Sequence, residues 1–124
     1  MKQEMHKPQI SIDIRRKRIR IHKVTLELLD HPQFILLLVN PETRTIAVMP
    51  SGDVKTAHCI HWERLKKTYE LTSIGLIRSL CSVCPEWSDS QNYRIAGEFI
   101  PSENIVEFRM DQAVPISYAA VNAK

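Results

Sequence analysis

The sequence predicts an α+β fold: two pseudo-repeated strand–helix–hairpin units forming one mostly antiparallel domain with two short helices. Three observations carry this expectation. Ile10, Ile12 and Ile14, then Ile19 and Ile21, alternate with polar residues at the period of half-buried strands. Two later stretches switch to helical spacing, and each runs into a pair of strand-like segments around a proline-led turn. The two halves overlay in pattern: "IRIHKVTLELL" on "YELTSIGLIRSL", and "VNPETRTIAV" on "FIPSENIVEF". A unit of about 40 residues cannot bury its own apolar face, so two such units must pack together. The 124 residues are accordingly divided into a flexible N-terminus (1–9), a single domain (10–112, with units 18–50 and 68–111) and a C-terminal tail (113–124).

Taken in order, the isoleucines up to Ile14 form the first strand. Ile19 and Ile21 resume on the opposite parity, so residues 15–18 must hold a bulge or a turn. "KVTLELLDHP" is a short helix, with Val24 and Leu28 and then Leu26 and Leu29 at its spacings, stopped by His31-Pro32. "QFILLLVNPETRTIAVMP" is a hairpin turning at residues 40–43, its first strand apolar enough to be buried. "KTAHCIHWERLKK" supplies a further strand through Cys59 and Ile60, then a bridge. "TYEL" is a strand, and "TSIGLIRSLCSVC" a helix capped by Thr72 or Ser73 with Ile74, Ile77, Cys81 and Cys84 on one face. "NYRIAGEFIPSENIVEFRM" is the second hairpin, turning at residues 101–104.

The charge is unevenly placed. Residues 15–23, "RRKRIRIHK", hold six of the 17 Lys and Arg and none of the 14 acids, so the rest of the chain carries 11 bases against 14 acids. Arg15, Arg16, Lys17, Arg18, Arg20 and Lys23 are therefore the candidate nucleic-acid-binding residues, because locally concentrated positive charge is what a phosphate backbone senses. No aromatic residue interleaves them, which favours duplex DNA over single strands stacked on aromatic platforms. The same run also suits a solvated strand protected from edge pairing by its charge.

Other chemistry is thinly represented. Cys81 and Cys84 have the spacing with which two thiolates share a zinc ion, and His58 and His61 could complete the set. No second such pair exists, and the helical face explains both cysteines as small core residues, so no metal and no cofactor is expected. Gly52, Gly75 and Gly97 are too scattered for a phosphate-cradling loop, and no nucleophile elbow or HExxH occurs. His22, His31 and His61 read as surface or capping residues, and the chain is not expected to be an enzyme. Trp62 and Trp87 read as core packing, though the "CPEWSDSQN" segment leaves Trp87 available as an anchor for a partner. Three cysteines, no apolar leader in "MKQEMHKPQ" and no membrane-length apolar run predict a cytoplasmic protein with no membrane partner.

The stretch from residue 18 to 48, a strand, a short helix opening on a basic residue and a hairpin, resembles the swapped-hairpin DNA-binding units of the AbrB/MraZ class, with residues 69–108 as the second copy. Where that class opens on Gly-Arg and ends its strand with proline, this chain has Lys17-Arg18 and His22. The resemblance implies a cytoplasmic DNA binder that forms a homo-oligomer and acts as a transcriptional regulator. The alternative expectation is a non-enzymatic protein–protein interaction or assembly module of bacterial or phage type, using Trp87 and the apolar tail.

Overall fold

The computed structural model describes residues 7–116. Residues 1–6 of the flexible N-terminus, and the part of the C-terminal tail beyond Ile116, lie outside the described residues. The strands are β1 (Gln9–Asp13), β2 (Arg18–His22), β3 (Phe34–Asn40), β4 (Thr45–Pro50), β5 (His58–Cys59), β6 (Thr68–Thr72), β7 (Asn92–Ile100), β8 (Ile105–Arg109) and β9 (Val114–Ile116). The helices are α1 (Lys23–Leu28) and α2 (Ile74–Val83).

The expected α+β fold of two strand–helix–hairpin units is not what forms. The strands make one antiparallel sheet in the order β5-β3-β4-β8-β7-β1-β2-β6, with β9 beside β7, and this sheet curls into a half-barrel. The helices, of six and ten residues, are too short to make a layer of their own. The strands that precede the two units are also unequal. β1 is a five-residue strand paired on both sides, to β2 and β7, whereas β5, which precedes β6, has two residues and pairs with β3 alone. Among the described residues β6 pairs only with β2, so the sheet stays open between its two edges.

Most of the predicted elements exist, and their causes are local. Ser73 caps α2, its side chain accepting from the Leu76 N–H at 3.1 Å. The buried face of α2 is Ile77, Leu80 and Cys84; Ile74, expected on that face, is 54% exposed. Three hairpins share one loop design. Residues 14–17, 41–44 and 101–104 each turn the chain, and the last loop residue (Lys17, Arg44, Asn104) takes a left-handed conformation at φ 56°, 55° and 54°. That conformation costs a non-glycine residue roughly 1–2 kcal/mol, least for asparagine. The parity switch between Ile14 and Ile19 is the first of these turns, closed by the Lys17 N–H on the Ile14 carbonyl at 3.2 Å.

The core lies on one side of the sheet. Ile10 and Ile12 of β1, Ile19 and Ile21 of β2, Ile35 of β3, Ile46 and Val48 of β4, Ile95 of β7 and Phe108 of β8 are all essentially inaccessible, and Leu26 of α1 with Ile77 and Leu80 of α2 join them. β7 holds the sheet together: residues up to Ala96 pair with β1, and residues from Gly97 pair with β8. Gly97 marks that change of partner, and the Phe108 ring lies directly over it. Among the described residues no helix is long and apolar enough to cross a membrane.

Candidate nucleic-acid interface

Pairing fixes which side chains share the polar side of the sheet. Ile10 and Ile12 stand opposite Ile21 and Ile19 on the core side. Alternation therefore sends Ser11 and Asp13 of β1, and Arg18, Arg20 and His22 of β2, to the other side. Two rows cross four strands there: Arg94, Ser11, Arg20 and Glu70, and beside it Asn92, Asp13, Arg18 and Thr72.

The six predicted binding residues all lie on this hairpin or at its exit. Arg15 and Arg16 are exposed at the turn, and Lys17 is half-buried in it with its ammonium 3.5 Å from the Arg15 carbonyl. Arg18 and Arg20 stand on the polar side of β2. Lys23 opens α1, and its backbone N–H donates to the Lys67 carbonyl at 2.9 Å, which brings Lys66 and Lys67 to the same end of β2. The stretch is thus a cationic tip, a cationic strand and a cationic exit, in that order.

Half of these charges are already engaged. Arg16 donates to Asp13 from its backbone N–H at 3.2 Å and from Nη1 at 3.3 Å. Glu70 takes Arg20 Nε at 2.7 Å and Arg18 Nη1 at 3.0 Å, and these two hydrogen bonds, Arg20 first, hold its carboxyl below the usual carboxylate range. Arg15, Lys17 and Lys23 have no acidic partner within 4.0 Å among the described residues. Arg94, which the sequence reading missed, has none either and joins the same face from β7. Its only signal in the sequence is its place in the alternating "NYRIAGE" segment, which says that it faces solvent but not that it faces Arg20.

His22 ends the polar side of β2, with Nε2 3.3 Å from the Ser11 hydroxyl. Burial and then the charge of Arg94 lower its pKa from the ordinary 6.5. The unfolded chain therefore binds this proton more readily than the folded one. Folding stability should rise with pH up to about 6.5 and fall as the pH drops below it. In urea unfolding at several pH values, His22→Gln should flatten that dependence; an unchanged slope would show that other groups set it.

The remaining candidates do not converge on a site. Cys84 is fully buried with Sγ 3.9 Å from Met110 Sδ, and Cys81 is half-buried; burial pushes both thiols up, against the opposing effect of Arg44 on Cys84. His58 lies in β5 and His61 just beyond it, and no group of three or more His, Cys, Asp or Glu that could hold a metal ion occurs among the described residues. Trp87 is half-buried and stacked on Tyr93 at 4.6 Å and 16°, a packing position rather than an exposed anchor. Trp62 donates through Nε1 to the Pro32 carbonyl at 2.8 Å. Comparisons with protein-family models, with curated proteins and with solved structures return no significant match.

Proposed function

We propose that this chain binds duplex DNA through its phosphate backbone, using the β1–β2 turn and the polar side of β2 and β7. One observation carries the reading: Arg15, Arg16 and Lys17 at the turn continue into Arg18, Arg20 and Arg94 on a single sheet face, with Lys23 at the far end. The five residues of β2 extend about 16 Å, against one phosphate per roughly 3.4 Å of axis on each DNA strand. The face carries Arg18, Arg20 and Arg94 among small polar side chains, with Asp13 and Glu70 as its two carboxylates, and no Tyr, Phe or Trp stands in its two rows, which suits phosphate contact more than base stacking. The free thiols of Cys59, Cys81 and Cys84 suit the reducing cytoplasm in which such a binder would work.

The test is binding to random-sequence duplex at two salt concentrations. Affinity should fall steeply with salt, in proportion to the number of phosphates neutralised. Glu70→Gln supplies a gain-of-function arm, because it releases Arg18 and Arg20 from their shared carboxylate. That variant should bind several-fold more tightly at low salt and steepen the salt slope by about one. A parent chain with no affinity at low salt, or a Glu70→Gln variant that binds no better, defeats the reading.

A second reading, an interaction or assembly module, draws on the outward side of β3 and β4. There Leu36 and Met49, and Leu38 and Ala47, stand opposite one another away from the core, with Leu38 47% exposed. A chain that ignores DNA but self-associates, and loses that association in Leu38→Ser, would belong to this class.

A further inference from the structure

The row Arg94, Ser11, Arg20 has a large–small–large profile across three adjacent strands. Neighbouring strands lie about 4.8 Å apart, so the two guanidinium stems start roughly 10 Å apart with only a hydroxymethyl group between them. The result is a depression of about 160 Å³, with Ser11 among its lining residues and Arg94, Arg20 and His22 around it. We propose that this depression is a binding site for one tetrahedral oxyanion of the phosphate class, held by Arg94, Arg20, Ser11 and His22.

The donors point to such a ligand. Arg94 has no acidic partner within 4.0 Å among the described residues, and Glu70 engages Arg20 only through Nε, leaving its terminal nitrogens available. Planar guanidinium forks match the oxygen spacing of phosphate, and two of them on opposite walls hold a tetrahedral group from two sides. The Ser11 hydroxyl adds a donor between them, and its 3.3 Å contact orients the His22 ring. Asp13 also lines the depression, but Arg16 already engages both of its carboxylate oxygens. All four ligands sit on paired strands, so the site is organised before anything binds.

His22 makes the site proton-linked. The charged groups around it are Arg20 and Lys23 on its own segment, Arg94 from β7, Glu70 from β6 and Lys67 just before β6; β1 contributes the neutral Gln9 and Ser11, with Asp13 at its far end. In the empty site Arg94 opposes protonation of the imidazole. A bound anion reverses that field, so binding takes up a proton and strengthens as the pH falls. The oxyanion could be a phosphodiester of the duplex or a free phosphate. The inference rests on the DNA-binding reading only for that choice of source.

The experiment follows the His22 imidazole by NMR in the full chain, comparing sodium sulfate, which does not titrate in this range, with sodium chloride at equal ionic strength. The His22 titration midpoint should rise in sulfate, and Arg94→Gln should abolish the rise. Sulfate affinity should drop roughly tenfold from pH 5.5 to 7.5 in the parent and stay flat in His22→Gln, the consequence of losing one charge-assisted hydrogen bond. A midpoint that does not move, or moves equally in Arg94→Gln, overturns the proposal. The duplex arm separates the sources. A midpoint that also rises on adding random duplex assigns the site to the DNA backbone. A response to sulfate from a chain that ignores duplex keeps the oxyanion site and discards the DNA reading. Tight duplex binding with no movement of His22 in duplex or in sulfate keeps the DNA reading and discards the site.

Discussion

Gly97→Ala should destabilise the protein by about 1–3 kcal/mol, the range for forcing a methyl group into a packed core. The usual expectation has the opposite sign, since replacing glycine in a strand removes unfolded-state entropy and stabilises by roughly 0.5–1 kcal/mol. Here a Cβ would meet the Phe108 ring at 2.5 and 2.7 Å and the Glu107 carbonyl at 3.1 Å. Phe108 is fully buried, so the ring has no solvent to move into, and β7 pairs with β8 at this very position. Phe108→Ala alone should cost about 3–5 kcal/mol through the cavity it leaves. The two changes should be strongly non-additive: with the ring gone, an alanine at 97 fills empty space and costs little. Urea unfolding of the two single variants and the double variant closes the cycle. A neutral Gly97→Ala, or additive costs, would mean that Phe108 does not rest on Gly97. The position bears on function as well, because the strand passes from β1 to β8 there and Arg94, three residues earlier, depends on the β1 pairing for its place beside Ser11.

The sequence carried the elements of this fold more clearly than their assembly. Alternation at Ile10, Ile12, Ile19 and Ile21 reports that one side of a strand is buried, and it is. Proline-led turns at Pro41 and Pro101 mark two of the hairpins, and Ser73 marks a helix start. None of these signals names a neighbour. β1 pairs with Asn92–Ala96 about eighty residues away, a choice made by the whole sheet and invisible in either segment. The α+β reading failed because matching local patterns were taken as separate strand–helix–hairpin units, whereas β2 pairs with β6 and β4 with β8 across them, so that one curled sheet forms and the two helices stay minor. The apolar run at 34–39 misled in a smaller way: it suggested a buried strand, yet Leu38 is 47% exposed.

The candidate site divides along the same line. Six of its cations are consecutive enough to be read directly from "RRKRIRIHK". Their neutralisation is not legible there, because Glu70 reaches Arg18 and Arg20 only through the β2–β6 register, fifty residues on. Arg94 and Ser11 are equally silent in sequence, since each is an ordinary polar residue in an alternating strand until pairing sets them side by side. Lys66 and Lys67 form a visible basic pair, but the place of Lys67 beside Lys23 comes from the β2–β6 pairing, which reaches His22 and Thr68 and is continued by the Lys23 N–H on the Lys67 carbonyl.

That uneven neutralisation shapes the remaining expectation, for replacement of Arg15, Arg16 and Arg18 by serine. Each phosphate that the variant no longer neutralises lowers the salt slope by about one, so the triple variant should fall by two to three units of slope and roughly 10–100-fold in affinity at low salt, whatever the duplex sequence. The three positions should not contribute equally. Arg15 is exposed and has no acidic partner within 4.0 Å among the described residues, so its whole charge is available to a phosphate. Arg18 shares Glu70 with Arg20, and its removal lets that carboxylate bind Arg20 alone. The effect of Arg15→Ser should therefore exceed that of Arg18→Ser, and Arg18→Ser should recover much of its affinity when combined with Glu70→Gln. Stability should fall only modestly, because a partly exposed ion pair such as Arg18–Glu70 contributes about 0–1 kcal/mol in general, the buried Asp13 carboxylate keeps the Arg16 backbone N–H when the guanidinium is removed, and the isoleucines that anchor the hairpin are untouched. Fluorescence anisotropy with a labelled random duplex at several salt concentrations, alongside thermal unfolding, reads both quantities. A triple variant that folds like the parent and binds like it would assign the cluster to solvation and leave the outward side of β3 and β4 as the surface through which this chain acts.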